Sequence, residues 1–126
     1  MGYGNAKIEH LLGSVIARIE GLEVGSDDVV FELGNGDKYR MFHDQDCCEC
    51  VLIKQIDGDV NDLIGNAITM AEEVENPESA LQPEDADSYT WTFYKLATVK
   101  GYVTIQWLGE SNGYYSESVD FDKINP

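Results

Sequence analysis

Apolar and polar positions alternate most cleanly over residues 88–121. Tyr94, Leu96 and Thr98 share one parity, as do Val103, Ile105 and Trp107, with Lys95, Ala97, Thr104 and Gln106 between them. A period of two marks strands with one buried face. Lys100-Gly101 sits where a two-residue turn joins the two runs, which sets Leu96 opposite Ile105, Tyr94 opposite Trp107 and Thr98 opposite Val103. A slip of one residue would exchange the core face for the wet one. The polar turn Glu110-Ser111-Asn112-Gly113-Tyr114-Tyr115 then opens into a third strand ending in Val119 and Phe121.

Upstream, Asn5 is placed to cap a short helix carrying Ile8, Leu11 and Leu12 on one side, with Gly13 to end it. Residues 15–24 read as a strand with Val15, Ala17 and Ile19 on one face and Ile16, Arg18 and Glu20 on the other. Residues 29–33 and 38–43 form a hairpin around Gly34-Asn35-Gly36. An odd-length loop with Gly36 left-handed sets Phe31 against Tyr39 and Val29 against Met41, whereas a two-residue Asn-Gly turn would oppose Phe31 to Arg40. The odd loop is preferred because it keeps apolar residues together. Residues 47–56 give a further strand, with Val51 and Ile53 on one face and Cys50, Leu52 and Ile56 on the other.

Asp59 then caps a second helix. Its Val60, Leu63, Ile64 and Gly65 follow Ile8, Leu11, Leu12 and Gly13 at a constant offset, which carries on to Ile68 with Ile16 and Glu72 with Glu20. The pattern predicts an internal duplication of a helix-plus-β-meander half, residues 5–57 and 58–121, within a single domain 1–126. Glu49 and Val51 are the expected counterparts of Glu117 and Val119. An acidic insertion, 76–87, has too few large apolar residues to join the core and is expected to be a flexible loop. The expected fold class is α+β: mostly antiparallel β with two short helices.

Charge narrows the function classes. Eight basic against twenty-four acidic residues give a net charge of −16, spread along the whole chain. Such a surface repels phosphate backbones, so neither DNA nor RNA is expected as a partner. It suits either simple solubility or the filling of a basic groove on a partner protein. No apolar run approaches the roughly 20 residues of a membrane helix, and no signal sequence is read at the start, so the expectation is a cytoplasmic protein with no membrane partner.

Candidate chemistry is sparse. His43 with Cys47, Cys48 and Cys50 is one cluster without the second ligand pair that a zinc site needs, so no metal is expected. The cysteines are expected as small buried hydrophobes, and a disulfide is disfavoured by the odd count. Asp57-Gly58-Asp59 opens like a calcium loop but lacks its later ligands. No nucleophile motif or phosphate-cradling glycine loop is present, so the chain is not expected to be an enzyme and no cofactor is expected. What remains are two polar corners, 110–115 and 43–46. Ser111, Asn112 and Tyr114 in one, and His43 and Asp46 in the other, offer hydrogen bonds beside aromatic faces, and Arg40 lies close by in sequence on a hairpin strand.

The runs His43-Asp44-Gln45-Asp46-Cys47-Cys48-Glu49, Asp62-Leu63-Ile64-Gly65, Thr90-Trp91-Thr92-Phe93-Tyr94-Lys95 and 111–119 resemble a family of small uncharacterised phage and prophage proteins. More distantly, the Asp-Cys-Cys and Ser-Asn-Gly-Tyr-Tyr runs resemble the Thoeris anti-defence sponge proteins. That resemblance implies a counter-defence protein in the host cytoplasm that sequesters a small nucleotide-type signal between subunits of a homo-oligomer. Arg40 would then contact phosphate, Tyr114 would stack and Asn112 would read a ligand edge. The alternative is an acidic antagonist of a host protein.

Overall fold

The computed structural model describes residues 5–78, 80–83 and 87–124. Eight strands run β1 (Ile16–Glu20), β2 (Asp28–Leu33), β3 (Lys38–Phe42), β4 (Cys50–Asp57), β5 (Met70–Glu75), β6 (Ser88–Thr98), β7 (Gly101–Ser111) and β8 (Asp120–Ile124). They form two 4-stranded antiparallel sheets in the orders β1-β2-β3-β8 and β4-β7-β6-β5. Among the described residues there is no α-helix. Both segments expected as helices are single 3-10 turns, Ile8–Leu11 and Val60–Leu63. Each turn has only four residues, too few to offset the cost of helix nucleation. The fold is therefore mostly antiparallel β rather than α+β.

Capping divides the two turns. Asp59 accepts from the Asn61 N–H at 3.0 Å, as its position implied. Asn5 does not cap the first turn; its side chain accepts from Lys123 N–H at 2.7 Å, tying the N-terminal segment to β8. Leu12 lies beyond the turn and is exposed.

The β2–β3 hairpin has Phe31 opposite Tyr39 and Val29 opposite Met41, with Gly36 at φ 94°. The β6–β7 hairpin differs from expectation by two residues. Val99-Lys100 forms the turn, so Thr98 faces Gly101, Leu96 faces Val103 and Tyr94 faces Ile105. A shift of two preserves side-chain parity. Tyr94, Leu96, Val103, Ile105 and Trp107 are therefore on the core face anyway, each fully buried.

Bulges correct two other expected faces. One between Ile16 and Arg18 lets Ile16 and Ile19 both meet the core, where strict alternation would have separated them. Another between Ile53 and Gln55 brings Ile56 to the same side as Val51 and Ile53.

The two sheets bury one core built on Trp107, Tyr94, Phe31 and Phe121. Full burial of each such side chain is worth about 1.5–3 kcal/mol. Trp107 Nε1 donates to the Met41 sulfur at 3.2 Å, joining one sheet to the other. A smaller cluster, Trp91, Phe93 and Leu108, lies on the outer face of the second sheet with Ala80 and Tyr89 against it. Part of the acidic loop 76–87 reaches this cluster. Within 76–87, Asn76 exchanges bonds with the Trp91 backbone, and Trp91 Nε1 donates to Leu81 O at 2.6 Å. Residues 79 and 84–86 of that loop lie outside the described residues.

The element order of the first half, 3-10 turn, strand, hairpin, strand, recurs in the second. Advancing every strand by four places around the chain converts one sheet order into the other. Each sheet is thus completed by the last strand of the opposite half. Where the halves meet, Gly13 N donates to Ile68 O at 2.8 Å and Gly65 N donates to Ile16 O at 2.9 Å, a reciprocal exchange between corresponding residues.

Gly58, between β4 and the second 3-10 turn, has φ 100°, and a Cβ there would lie 2.3 Å from Tyr102 O. Both the left-handed backbone and the backbone neighbour exclude a side chain. Gly58→Ala is expected to destabilise the protein by about 1–3 kcal/mol, read as a lower urea midpoint, whereas Gly36→Ala, with open space around its Cβ, should cost less.

Candidate functional site

Two crossover segments define one end of the molecule. Residues 43–49 carry the chain from β3 in the first sheet to β4 in the second, and 112–119 carry it back from β7 to β8. Both segments are irregular, and each is closed by a glutamate.

In the first, His43 and Glu49 are buried, with side chains 2% and 0% exposed, and their Nε2 and Oε2 atoms are 2.7 Å apart. The other ring nitrogen, Nδ1, lies 2.7 Å from Ser118 O in the second segment. One ring nitrogen thus meets a carboxylate of its own segment and the other a carbonyl oxygen of the opposite one. Glu49 also accepts from the N–H groups of Asp46 at 2.8 Å and Cys47 at 2.9 Å. The His43 bond, helped by these amides, overcomes the cost of burial and holds the Glu49 carboxyl down at about 2. Gln45 Nε2 donates to Cys47 O and Glu49 O, fixing the rest of the turn.

The second segment is closed similarly. Glu117 accepts from Thr90 Oγ1 at 2.8 Å and from Ser111 Oγ. Asn112 and Ser111 cap their own turn, accepting from the N–H groups of Tyr114 and Gly113. Tyr114 is 79% exposed and meets Tyr115 edge-on, with ring centroids 5.0 Å apart.

Two open clefts result. One, of about 430 Å³, is lined by His43, Asp44, Gln45 and Asp46 with Ser116, Ser118 and Asp120 from the opposite segment. Burial is the main cause that pushes the Asp120 carboxyl up, reinforced by Asp44 and Asp122. The other, of about 320 Å³, is lined by Ser111, Asn112, Tyr115 and Glu110 with Cys48, Cys50 and Asp87.

The sequence-derived site residues are thus divided. His43 and Asp46 share the first cleft; Ser111 and Asn112 share the second. Tyr114 lines neither and projects outward, while its neighbour Tyr115 provides the aromatic face. Arg40 also lines neither. Its guanidinium forms two bonds to Asp28, at 3.0 and 2.7 Å, and lies over the Phe42 ring on the outer face of the first sheet. Asp28 holds the Arg40 guanidinium above its ordinary value. Sequence reasoning passed over Asp120 and Ser118, which come from the far end of the chain. It also read Glu49 only as a repeat counterpart, although its place six residues after His43 and just ahead of the β4 strand put an acid within reach of the imidazole.

The cysteines overturn their expectation. β4 begins only at Cys50, so Cys47 and Cys48 lie in the turn, all three are exposed, and Cys47 is joined to Cys48 by a disulfide. The odd count leaves Cys50 free. Among the described residues, no group of three or more His, Cys, Asp or Glu is arranged to hold a metal ion.

Acid should weaken this end of the fold. Because the Glu49 carboxyl is held below its ordinary value of 4.5, its contribution is complete above that value and is lost as pH falls toward about 2. Urea midpoints should drop over that window, and Glu49→Gln should lower the neutral-pH midpoint while flattening the drop. Alkylation without reductant should label Cys50 alone, and prior reduction should raise the count to three cysteines, as read by mass spectrometry.

No curated protein and no solved structure shows significant similarity to this sequence. A family model does match, over residues 9–121, which takes in both crossover segments and seven of the eight strands in full. The chain belongs to that family, the domain of unknown function DUF7448.

Proposed function

We propose that this chain is a non-catalytic binding protein that presents an acidic end to a basic surface of a partner protein. The observation that carries the reading is the separation of charge. Arg18 pairs with Glu20 and Glu32, Lys38 with Glu32, and Arg40 with Asp28 on the first sheet, and Lys123 of β8 pairs with Asp37 of the β2–β3 loop. The clefts at the crossover end carry Asp44, Asp46 and Asp120, and Asp87 and Glu110, and no described lysine or arginine lines either one. Concave surfaces of one sign focus the field and favour an oppositely charged partner. The resemblance to phage proteins supports a counter-defence role in the host cytoplasm, with a host protein as the partner blocked.

A nucleotide-signal sponge is the second reading, favoured by Ser111, Asn112 and the Tyr115 ring lining one cleft. It lacks a cation there to hold phosphate, since Arg40 is committed to Asp28.

Binding to polylysine and to cyclic nucleotides or ADP-ribose isomers separates the two. The acidic-face reading expects polylysine affinity to fall tenfold or more as salt rises from about 50 to 200 mM, and no thermal shift with any nucleotide. Salt-insensitive association, or stabilisation by an ADP-ribose isomer, would reverse the choice.

A further inference from the structure

We propose that this chain pairs with a second copy of itself along the outer edge of β1, forming a two-fold dimer in which the two first sheets join into one antiparallel sheet. The surface is independent of the acidic end, since no β1 residue lines either crossover cleft.

An open sheet edge presents unpaired backbone groups, and proteins normally cover it or charge it against pairing. The other three edges here are managed in that way. On β8, Ala6 N donates to Phe121 O at 3.0 Å and Lys123 N to Asn5 Oδ1 at 2.7 Å. On β4, Gly25 N donates to Ile53 O at 2.8 Å and Ile53 N to Ser26 O at 2.9 Å. β5 carries Glu72, Glu73 and Glu75, charges of one sign that oppose pairing with their own kind. β1 is clipped only at its start, where Gly65 N meets Ile16 O. Further along, Ile19 turns its backbone outward. Leu33 N donates to Asp37 O, so alternation sends the Phe31 bonds to β3 and leaves Ile19, opposite Phe31, without a β2 partner for its N–H and C=O. Among the described residues no other backbone group meets them.

The sequence of this edge is complementary to itself. An antiparallel pair centred on Ile19 sets Arg18 opposite the second copy's Glu20, and Glu20 opposite the second copy's Arg18. Both side chains are more than half exposed, and opposite charges directly across strands favour pairing. At the repeat offset the matching pair on β5 would be centred on Ala71 and would set Glu72 against Met70, with no cation to meet the acid. On the core side Ile19 is only partly buried, so the second copy's Ile19 covers what remains of its surface. Antiparallel pairing also brings the start of one strand beside the end of the other, where Val15 and Val24 are 41% and 64% exposed. The chain bends at Gly21, which ends the ladder before it would reach the segment bridged to Ile16. Because the pair uses the β1 edge of both copies, the assembly closes at two chains.

Sedimentation equilibrium on the full chain tests this: the apparent mass should rise with concentration from one chain to two and no further. Arg18→Glu sets acids against acids across the seam and Glu20→Arg sets cations against cations, so each should weaken dimerisation about tenfold or more. Mixed in equal amounts, the two variants should form a heterodimer as readily as the unaltered chain pairs, because every cross-strand pair is then of opposite sign. Losing the bonds that Arg18 makes within its own chain, to Glu20 and Glu32, cannot produce that rescue. Glu72→Arg, the same change of charge on β5, should leave dimerisation unaltered. Amide exchange on the unaltered chain gives a second readout that needs no variant to fold. Ile19 N–H should exchange about tenfold or more slowly in concentrated than in dilute protein, while Ala71 N–H should not change. A chain that stays single at millimolar concentration, a mixture that does not pair, a dimer with an unchanged Ile19 amide, or growth beyond two chains would each overturn the proposal.

Discussion

Neither half of this chain can finish its own sheet. β4 leaves the first half to pair with β7, and β8 leaves the second to pair with β3. The core therefore closes only when both crossovers are made, because Val51 and Ile53 on one crossing strand and Val119 and Phe121 leading into the other are buried between the sheets. Such long-range pairing incurs its loop entropy before any contact rewards it. The crossover segments are thus structural hinges first, and any binding surface they make is inherited from that duty.

This explains why the irregular end of the molecule holds its best-satisfied polar groups. A chain leaving one sheet for another must leave backbone donors unpaired at the corner, and a buried unpaired N–H costs about 1–3 kcal/mol. Glu49 answers this by accepting from two amides and from His43, and His43 Nδ1 then reaches Ser118 in the other crossover. One network thereby ties both hinges together. Glu117, bonded to Ser111 and Thr90, does the corresponding work with neutral partners. Of the two corners, only the first carries a buried pair that acid can break.

Much of the sheet pattern was legible because period-two alternation survives errors of register. The β6–β7 turn lies one position earlier than expected, yet Tyr94, Leu96, Ile105 and Trp107 face inward because parity was kept. The odd-length β2–β3 loop was legible for a different reason, since only one register keeps Phe31 with Tyr39. Bulges at Ile16 and Ile53 were not legible, because nothing local in those strands distinguishes a bulged residue from a regular one. The helices were overread: i, i+3, i+4 spacing of Ile8, Leu11 and Leu12 also fits a single 3-10 turn followed by an exposed leucine. At the site, sequence grouped Arg40 with His43 by nearness along the chain, but β3 ends before His43, and a nearby carboxylate, Asp28, claims the guanidinium.

Charge supplies the last step. An acidic chain gains solubility from carboxylates in open water, where they cost little, and needs none in a recess. Asp120 sits in such a recess, where burial pushes its carboxyl up with Asp44 and Asp122 nearby. Among the described residues its side chain accepts from the Asp44 N–H, at 3.2 Å a long contact for an ionised acceptor. The free protein thus keeps a carboxylate where its ionisation is disfavoured, while four of its eight cations are held by other acids elsewhere on and around the first sheet. On the acidic-face reading proposed above, a cation entering the cleft would relieve that cost, a gain that complementarity to a basic partner calls for.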